Sequence, residues 1–569
     1  MQRLERDLLR EGQSAEPGID SRRSRGGRRA AGAYFTPEPL VEFVVSEALR
    51  ARLASAEVAW RDDGSPELIV LDPAAGDGRF LVCARRLLVA LAVSKGFDAD
   101  SAERAISQRC LIGIERDETF AAAARQAIGP GAVIHCREAL LGAPADLPPA
   151  DLVVGNPPYQ RSIHFSQTDE SLWSELRGKL AATSYGEWDL YAAFLERALD
   201  WIGPHGHVGL VVPSRWLTAA FAKKLRQKFA AAGSVRAVVD FGAAQLFDGA
   251  TTYVSVVFLS AQPSEHVTVA KHGQSEWRCG PIPTTSLDES PWRLTTGKRR
   301  TLLNRLSNAA PSLGDVARIV KGAGTNADRV YVFDRPAADT RDDEVDVLSK
   351  ALGETVRIES ALLRPCLRGR DVTAFGSVGD VRVLVPYSRR GVLIEPQQLR
   401  ERWPRTALYL DRCRDLLERR ERGRFRGPNF YCWGRPQNMA FLGEPGAKLV
   451  VPDIARNGRA LMDTAATMAL DSAYALRLAD TNPGYSLDLL LAVLNSPIVA
   501  LWLSETGIPL RGNYMRMKTA YLRSLPLPAM SPLTDDVIAA VQSKEVDPLE
   551  VDELVRRAYA IPAADWIRR

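Results

Sequence analysis

Apolar residues gather in short unbroken runs through the first half of the chain and lose that rhythm in the second. Runs at 68–71, 111–114, 152–154, 206–213, 235–239 and 254–259 have the length and β-branching of buried strands. Other stretches carry apolar residues at helical spacing. In 34–50 the face is Leu40, Phe43, Val44 and Ala48, with Thr36 as N-cap and Pro37 at the first helical position. Further helices fall at 80–93 and at 189–202, where Leu190, Phe194, Leu195, Ala198 and Ile202 share a face. A short strand is expected at 132–138. Strand, helix, strand, helix, strand, strand is the order of a doubly wound parallel sheet.

The rhythm divides the chain. Residues 1–30 are polar and Arg-rich and read as a disordered tail. Residues 31–262 form the α/β domain, ending in two strands within 235–258 joined by a loop carrying Phe247; a core position is one reading of Phe247, and its Asp-Gly neighbour suggests an exposed tip. Pro, Ser and Thr crowd 280–295, so 263–295 reads as a linker. Residues 296–569 form a second domain without the strand–helix alternation.

Composition adds limits. A net charge of +5 spread over 569 residues leaves any nucleic-acid surface to a local patch. Residues 400–426 hold ten Arg against five acids, a surplus as large as that of the whole chain. Trp403, Tyr409, Phe425, Phe430, Tyr431 and Trp433 interleave with them, beside Asn429 and Gln437. That mixture favours a nucleic-acid surface with Arg419, Arg420, Arg422 and Arg424 on phosphates; a solvated helix face of mixed charge is the alternative. Seven cysteines without a Cys-x-x-Cys pair and six histidines without metal-ligand spacing give no metal site and no disulfide framework, in keeping with a reducing cytosol. No apolar run reaches membrane-spanning length, and the N-terminus lacks a signal core.

Candidate chemistry sits where strands end. The run 152–154 stops at Gly155 and delivers Asn156, Pro157, Pro158 and Tyr159 to the sheet edge where open α/β folds bind ligands. Asn156 offers a side-chain carbonyl, Pro157 a main-chain carbonyl in a stiff turn, and Tyr159 a flat ring. Two acceptors and a stacking platform suit an exocyclic amine on a planar ring; a rigid turn is the plainer reading. Upstream, Asp72, Pro73, Ala74, Gly76 and Gly78 make a small-residue loop, in which the glycines admit a ligand close to the backbone. Glu115 ends the next strand, 43 residues after Asp72, where an acid takes ribose hydroxyls. Glu138 ends the third strand.

In this order, Phe-Thr-Pro (35–37), Asp-Pro-Ala-Ala-Gly-Asp-Gly-Arg-Phe (72–80), Glu115, Glu138, Asn-Pro-Pro-Tyr, Asp-Leu-Tyr-Ala-Ala-Phe-Leu-Glu-Arg-Ala-Leu (189–199) and Val-Val-Pro-Ser-Arg-Trp-Leu (211–217) resemble the gamma-class, TaqI-like DNA adenine-N6 methyltransferases. The second half echoes that family's target-recognition region at 319–326, 363–372, 492–497 and 521–528. The resemblance implies a Rossmann-like class I methyltransferase domain, a C-terminal mixed α+β recognition domain, S-adenosylmethionine as cofactor, and double-stranded DNA whose adenine flips out for N6 methylation. It implies that Phe35, Thr36 and the Asp72–Gly78 loop hold the methionine part, Glu115 the ribose and Glu138 the adenine amine. Asn156 and Pro157 would then bind the target N6, beside the cofactor's methyl group, with Tyr159 and Phe247 against the base. Arg116 departs from the family, which usually has an apolar residue there.

Only some thirty polar residues precede the Phe-Thr-Pro turn, which implies a stand-alone bacterial cytoplasmic modification enzyme, nucleoid-associated when on DNA and paired with a separately encoded restriction or defence protein. Two other readings stand beside it: a release-factor glutamine N5-methyltransferase, which shares Asn-Pro-Pro-Tyr, and a non-catalytic DNA reader in a defence complex.

Overall fold

The computed structural model describes residues 36–141, 147–242, 244, 246–247, 253–272, 277–292, 294–307, 311–334, 343–388, 390–481, 484–507, 509–510 and 514–566. The basic tail 1–30 and Phe35 lie outside these. The chain forms two units, meeting in sequence at Gly297 and Lys298.

The first unit is built on one sheet: β1 (Val70–Asp72), β2 (Leu111–Glu115), β3 (Val133–Cys136), β4 (Ala150–Gly155), β5 (Ile202–Pro213), β6 (Val235–Asp240), β7 (Val254–Ser260), β8 (His266–His272) and β9 (Trp277–Pro283), in spatial order β3-β2-β1-β4-β5-β7-β6-β8-β9. β3, β2, β1, β4 and β5 are mutually parallel, and β7 runs antiparallel between β5 and β6. The order reverses between β1 and β4, so their C-terminal ends flank the crevice where such sheets take ligands.

Pleating explains the apolar run in β4. Val153 packs with α5 (Leu190–Trp201) on one face, while Leu152 and Val154 pack on the other with α1 (Glu38–Ser55), α2 (Arg79–Ser94), α3 (Ala99–Arg109) and α4 (Glu118–Ile128). A strand buried on both faces shows no alternation. Two helices, α2 and α3, separate β1 from β2, where the sequence suggested one and a loop.

The expected linker 263–295 contains β8 and β9, and Ile282, Trp292 and Leu294 are core residues. Its prolines misled the reading: Pro281 and Pro283 lie on β9, an edge strand, where a missing N–H is tolerated. Thr36 is not the cap of α1. The helix starts at Glu38 behind Pro37 with no side-chain cap, and the Thr36 hydroxyl is engaged elsewhere. Phe247 is not an exposed tip but 4% exposed, packed among α1 and the ends of the central strands.

The second unit is mixed α+β. One four-stranded sheet joins 317–321, 473–478, 448–452 and 461–463; another joins 332–334, 381–384, 363–367 and 468–469. It also holds a hairpin (344–349 with 354–359), a three-stranded sheet of 454–455, 514–516 and 509–510, and helices that include 404–412, 487–495, 497–506, 532–541 and 548–558. Among the described residues no single helix is long and apolar enough to cross a membrane; the bent pair 487–495 and 497–506 is core.

Candidate active site

The small-residue loop leaves β1 at Asp72. Asp72 is 1% exposed, and Oδ1 accepts from Ala74 N at 3.1 Å. Burial pushes its carboxyl up to about 8, with the nearby Glu115 and Asp77 charges adding to the shift. Oδ2 has no hydrogen-bond partner among the described residues. The carboxylate lies against the end of β4, where a Cβ on Gly155 would meet Asp72 Oδ1 at 2.6 Å. Glycine is therefore required before Asn156 because β1's acid occupies the space.

The two loop glycines differ. Gly76 has φ +54, and a Cβ there would meet nothing within 4 Å. Gly78, at φ +84, caps α2 in the left-handed region, and a Cβ there would meet Ala124 Cα of α4 at 3.1 Å. Gly76 thus faces open space and Gly78 seats one helix on another. Pro73 is buried and Ala74 partly so.

Glu115 closes the loop from β2. Its Oε2 accepts from Gly76 N at 2.9 Å and its Oε1 from Asp117 N at 3.0 Å. Glu138 is fixed by Leu140 N at 3.1 Å; burial raises its pKa, opposed by Arg116 at 3.7 Å. Arg116 also reaches Asp169 at 3.1 Å, so this departing residue bridges two acids.

Asn156 Nδ2 donates to the Thr36 hydroxyl at 3.0 Å. The Thr36 carbonyl accepts from Arg79, whose Nε and Nη2 grip Asp77 at 2.9 and 2.6 Å. The turn before α1, the loop after β1 and the loop after β4 are thereby tied together. Tyr159 donates to Val211 O at 3.2 Å and meets Tyr191 and Phe247 edge-on, with centroids at 6.1 and 6.4 Å. Arg79 and Tyr191 belong to this site beside Asp77 of the Asp72–Gly78 loop, and neither is among the residues the sequence singles out. Arg79 and Tyr191 lie within the quoted motifs, and that is the signal that would have found them.

The arginine segment in the second unit is different. Arg420 is 9% exposed and donates to the carbonyls of Leu417, Thr325, Phe430 and Cys432 at 2.7–3.0 Å. It cannot serve as a phosphate contact, because its donors hold the chain's own backbone. Arg424 pairs with Glu421 at 3.1 Å; Arg419 and Arg422 are exposed. Tyr409, Phe430, Tyr431 and Trp433 are core residues, so these four rings are not a stacking surface. Among the described residues no three His, Cys, Asp or Glu side chains gather to hold a metal.

Residues 150–247 match the Eco57I restriction-modification methylase family, and residues 429–527 match the TaqI-like C-terminal specificity domain. The type II restriction enzyme and methyltransferase RM.Eco57I of Escherichia coli is 24% identical over 69% of this chain, which spans 42% of that protein's length. The type II methyltransferase M.PaeR7I of Pseudomonas aeruginosa is 23% identical over 92% of this chain and 91% of its own. In fold, the chain is similar to the type IIL restriction-modification enzyme MmeI, solved in complex with DNA, with a TM-score of 0.57 at 13% identity over 92% of this chain and 73% of that one. A sheet with the Asp72 loop and the Asn156–Tyr159 loop at the β1 and β4 ends, followed by a match to the TaqI-like specificity domain, makes this chain similar to the restriction-modification DNA methyltransferases.

Proposed function

We propose that the chain transfers a methyl group from S-adenosylmethionine to N6 of an adenine flipped out of double-stranded DNA. It would serve in the bacterial cytoplasm as the modification part of a restriction-modification or phage-defence system, beside a separately encoded restriction or defence protein. The observation that carries the reading is the Asn156–Tyr159 loop. It is tied to Thr36 and lies against the ring cluster of Tyr159, Tyr191 and Phe247.

The residues at β1 and β2 fit the cofactor. A buried carboxylate oxygen without a protein donor suits the methionine ammonium, and the space over Gly76 suits close approach. Asp72 and Thr36 would hold the methionine part, Glu115 the ribose and Glu138 the adenine amine. S-adenosylmethionine supplies the electrophilic methyl.

Adenine N6 is a weak nucleophile because its lone pair is delocalised into the ring. With its Nδ2 engaged by Thr36, the carbonyl end of the Asn156 amide is the one that accepts from N6. The Pro157 carbonyl takes the second hydrogen. Two fixed acceptors draw the nitrogen towards a pyramidal shape and turn its lone pair outward, which is preorganisation at the reacting atom. Tyr159 and Phe247 hold the ring, and Pro158 stiffens the loop. The test is tritiated methyl transfer to unmethylated bacterial DNA. Asn156→Ala should lose on the order of a hundredfold or more in rate while binding the cofactor normally. An alanine variant turning over near the wild-type rate overturns the reading.

A further inference from the structure

Asp189 is a helix N-cap that does not cap. It precedes α5 in extended conformation, where an Asp side chain ordinarily accepts from first-turn N–H groups, yet it makes no such bond. At 7% exposure it does not turn to water instead. It faces two arginines. Arg215 Nη1 lies 3.5 Å from Asp189 Oδ2, and Arg161 is also near enough for its charge to act on the carboxyl against the upward pull of burial. The two arginine side chains are 45% and 46% exposed.

Both arginines follow neighbouring parallel strands at the ligand-binding edge. Arg161 lies two residues past Tyr159, and its backbone bridges antiparallel to Asp189. On either side Ser162 N donates to Trp188 O at 2.8 Å and Leu190 N to Gln160 O at 2.9 Å. The segment before α5 is thus zipped to the loop that follows β4. Arg215 comes two residues after β5, its guanidinium 5.5 Å from the Phe221 ring centroid. Tyr191 ties the cluster to the base-binding side: its ring meets Tyr159, and the charges of Asp189 and Arg215 both act on its hydroxyl.

The arginines are not equivalent. Arg161 also pairs with exposed Glu187, whereas Arg215 has Asp189 as its acid among the described residues, beyond hydrogen-bond length. A guanidinium carries five N–H donors in a fixed fork. Arg215 is therefore oriented from below by a buried charge and an aromatic ring, with its outer half in solvent.

We propose that Arg215 is a DNA-phosphate contact at the mouth of the base site, taking the backbone phosphate beside the flipped nucleotide, and that Asp189 is its positioning residue. Extruding a base moves its phosphate off the regular backbone path. A cation fixed beside the Asn156–Tyr159 loop favours that displaced position, and a planar fork suits a phosphate better than a point charge. The assignment rests on the DNA-methyltransferase reading above.

The test is steady-state methyl transfer to unmethylated plasmid DNA over a range of salt, with calorimetry of S-adenosylmethionine alongside. Arg215→Ala should raise KM for DNA by roughly tenfold with kcat changed far less, and should flatten the dependence of log kcat/KM on log salt by about 0.9. Arg215→Lys should recover the salt dependence and part of the KM. Asp189→Asn should raise KM in the same direction, and the double variant Asp189→Asn with Arg215→Ala should be no worse than Arg215→Ala alone, which a merely structural aspartate would not produce. Unchanged cofactor affinity in each variant shows that the unit is folded. If the wild type labels DNA and Arg215→Ala keeps its KM and salt dependence, this assignment is wrong and the methyltransferase reading stands. If the wild type labels no DNA, both fall.

Discussion

Two stretches rich in functional-looking side chains meet opposite fates. In the first unit, Asn156–Tyr159 leaves the end of a central strand, and its polar groups line the sheet's ligand edge. In the second unit, 400–433 has more charge and more rings, yet it is largely scaffold. Arg420 satisfies four backbone carbonyls, one in the short helix just before it and three in irregular loops. Glu359 takes Arg405 N, Thr406 N and the Thr406 hydroxyl, while Lys448 and Asp463 form a fully buried pair at 2.7 Å. Where the chain runs outside regular elements its backbone groups lack ladder partners, and charged side chains such as Arg420 supply them. Density of Arg and aromatics therefore does not by itself mark a binding surface.

The sharpest test of that contrast is Arg420→Ala. It leaves buried carbonyls without donors, so the second unit should lose on the order of 3 kcal/mol or more of stability, seen as an earlier denaturant midpoint. Arg422→Ala, one exposed turn away, should leave the midpoint where it is. If both variants behave alike, the scaffold role of the segment is wrong.

Asp72→Asn comes next, from the other side of the comparison. The folded carboxyl titrates near 8, above its ordinary 3.8. Its contribution to stability is therefore present below about pH 4 and lost as pH rises through about 8. Removing the charge should make the ligand-free protein more stable than wild type at pH 9, by up to several kcal/mol, while weakening S-adenosylmethionine. Thermal melts at pH 5 and 9 with and without cofactor check both signs. A variant less stable than wild type at pH 9 would mean that Asp72 is charged and paired.

Glu115→Ala should weaken cofactor binding by roughly tenfold, the value of a hydrogen bond to a charged group, and leave DNA affinity unchanged by filter binding. Equal cofactor affinity by calorimetry would leave Glu115 as a brace for Gly76 alone.

The smallest effect concerns the surface arginines. Arg419→Ala with Arg422→Ala should flatten the slope of log DNA affinity on log salt by about 0.9 for each residue that meets a phosphate. An unchanged slope makes the whole segment scaffold and moves DNA to another face of the second unit.

Much of the catalytic unit was legible because its signals are local. Leu152–Val154 followed by Gly155 identifies a strand buried on both faces, and such a strand in an open sheet presents its next residues at one edge. The site residues therefore appear in sequence beside the strands that aim them. Proline frequency misread β9, since whether a missing N–H matters depends on the strand having a neighbour, which is a tertiary fact. Thr36 was misassigned for a similar reason: a hydroxyl before a helix can cap it or serve a partner 120 residues away.

By itself the sequence determined the succession of strands along the chain as far as β7, the motif residues at the ends of β1, β2 and β4, and the family they resemble, because these follow from periodicity and from contiguous motifs. Only the tertiary structure decided which charges face inward. Arg420 and Arg422 are two positions apart and chemically identical, and the loops that fold over one of them come from about 95 residues upstream and ten downstream. It likewise decided that Asp189 would leave its helix uncapped to face Arg215, since the first-turn N–H groups are local whereas the guanidinium comes within reach only once β4 and β5 lie side by side.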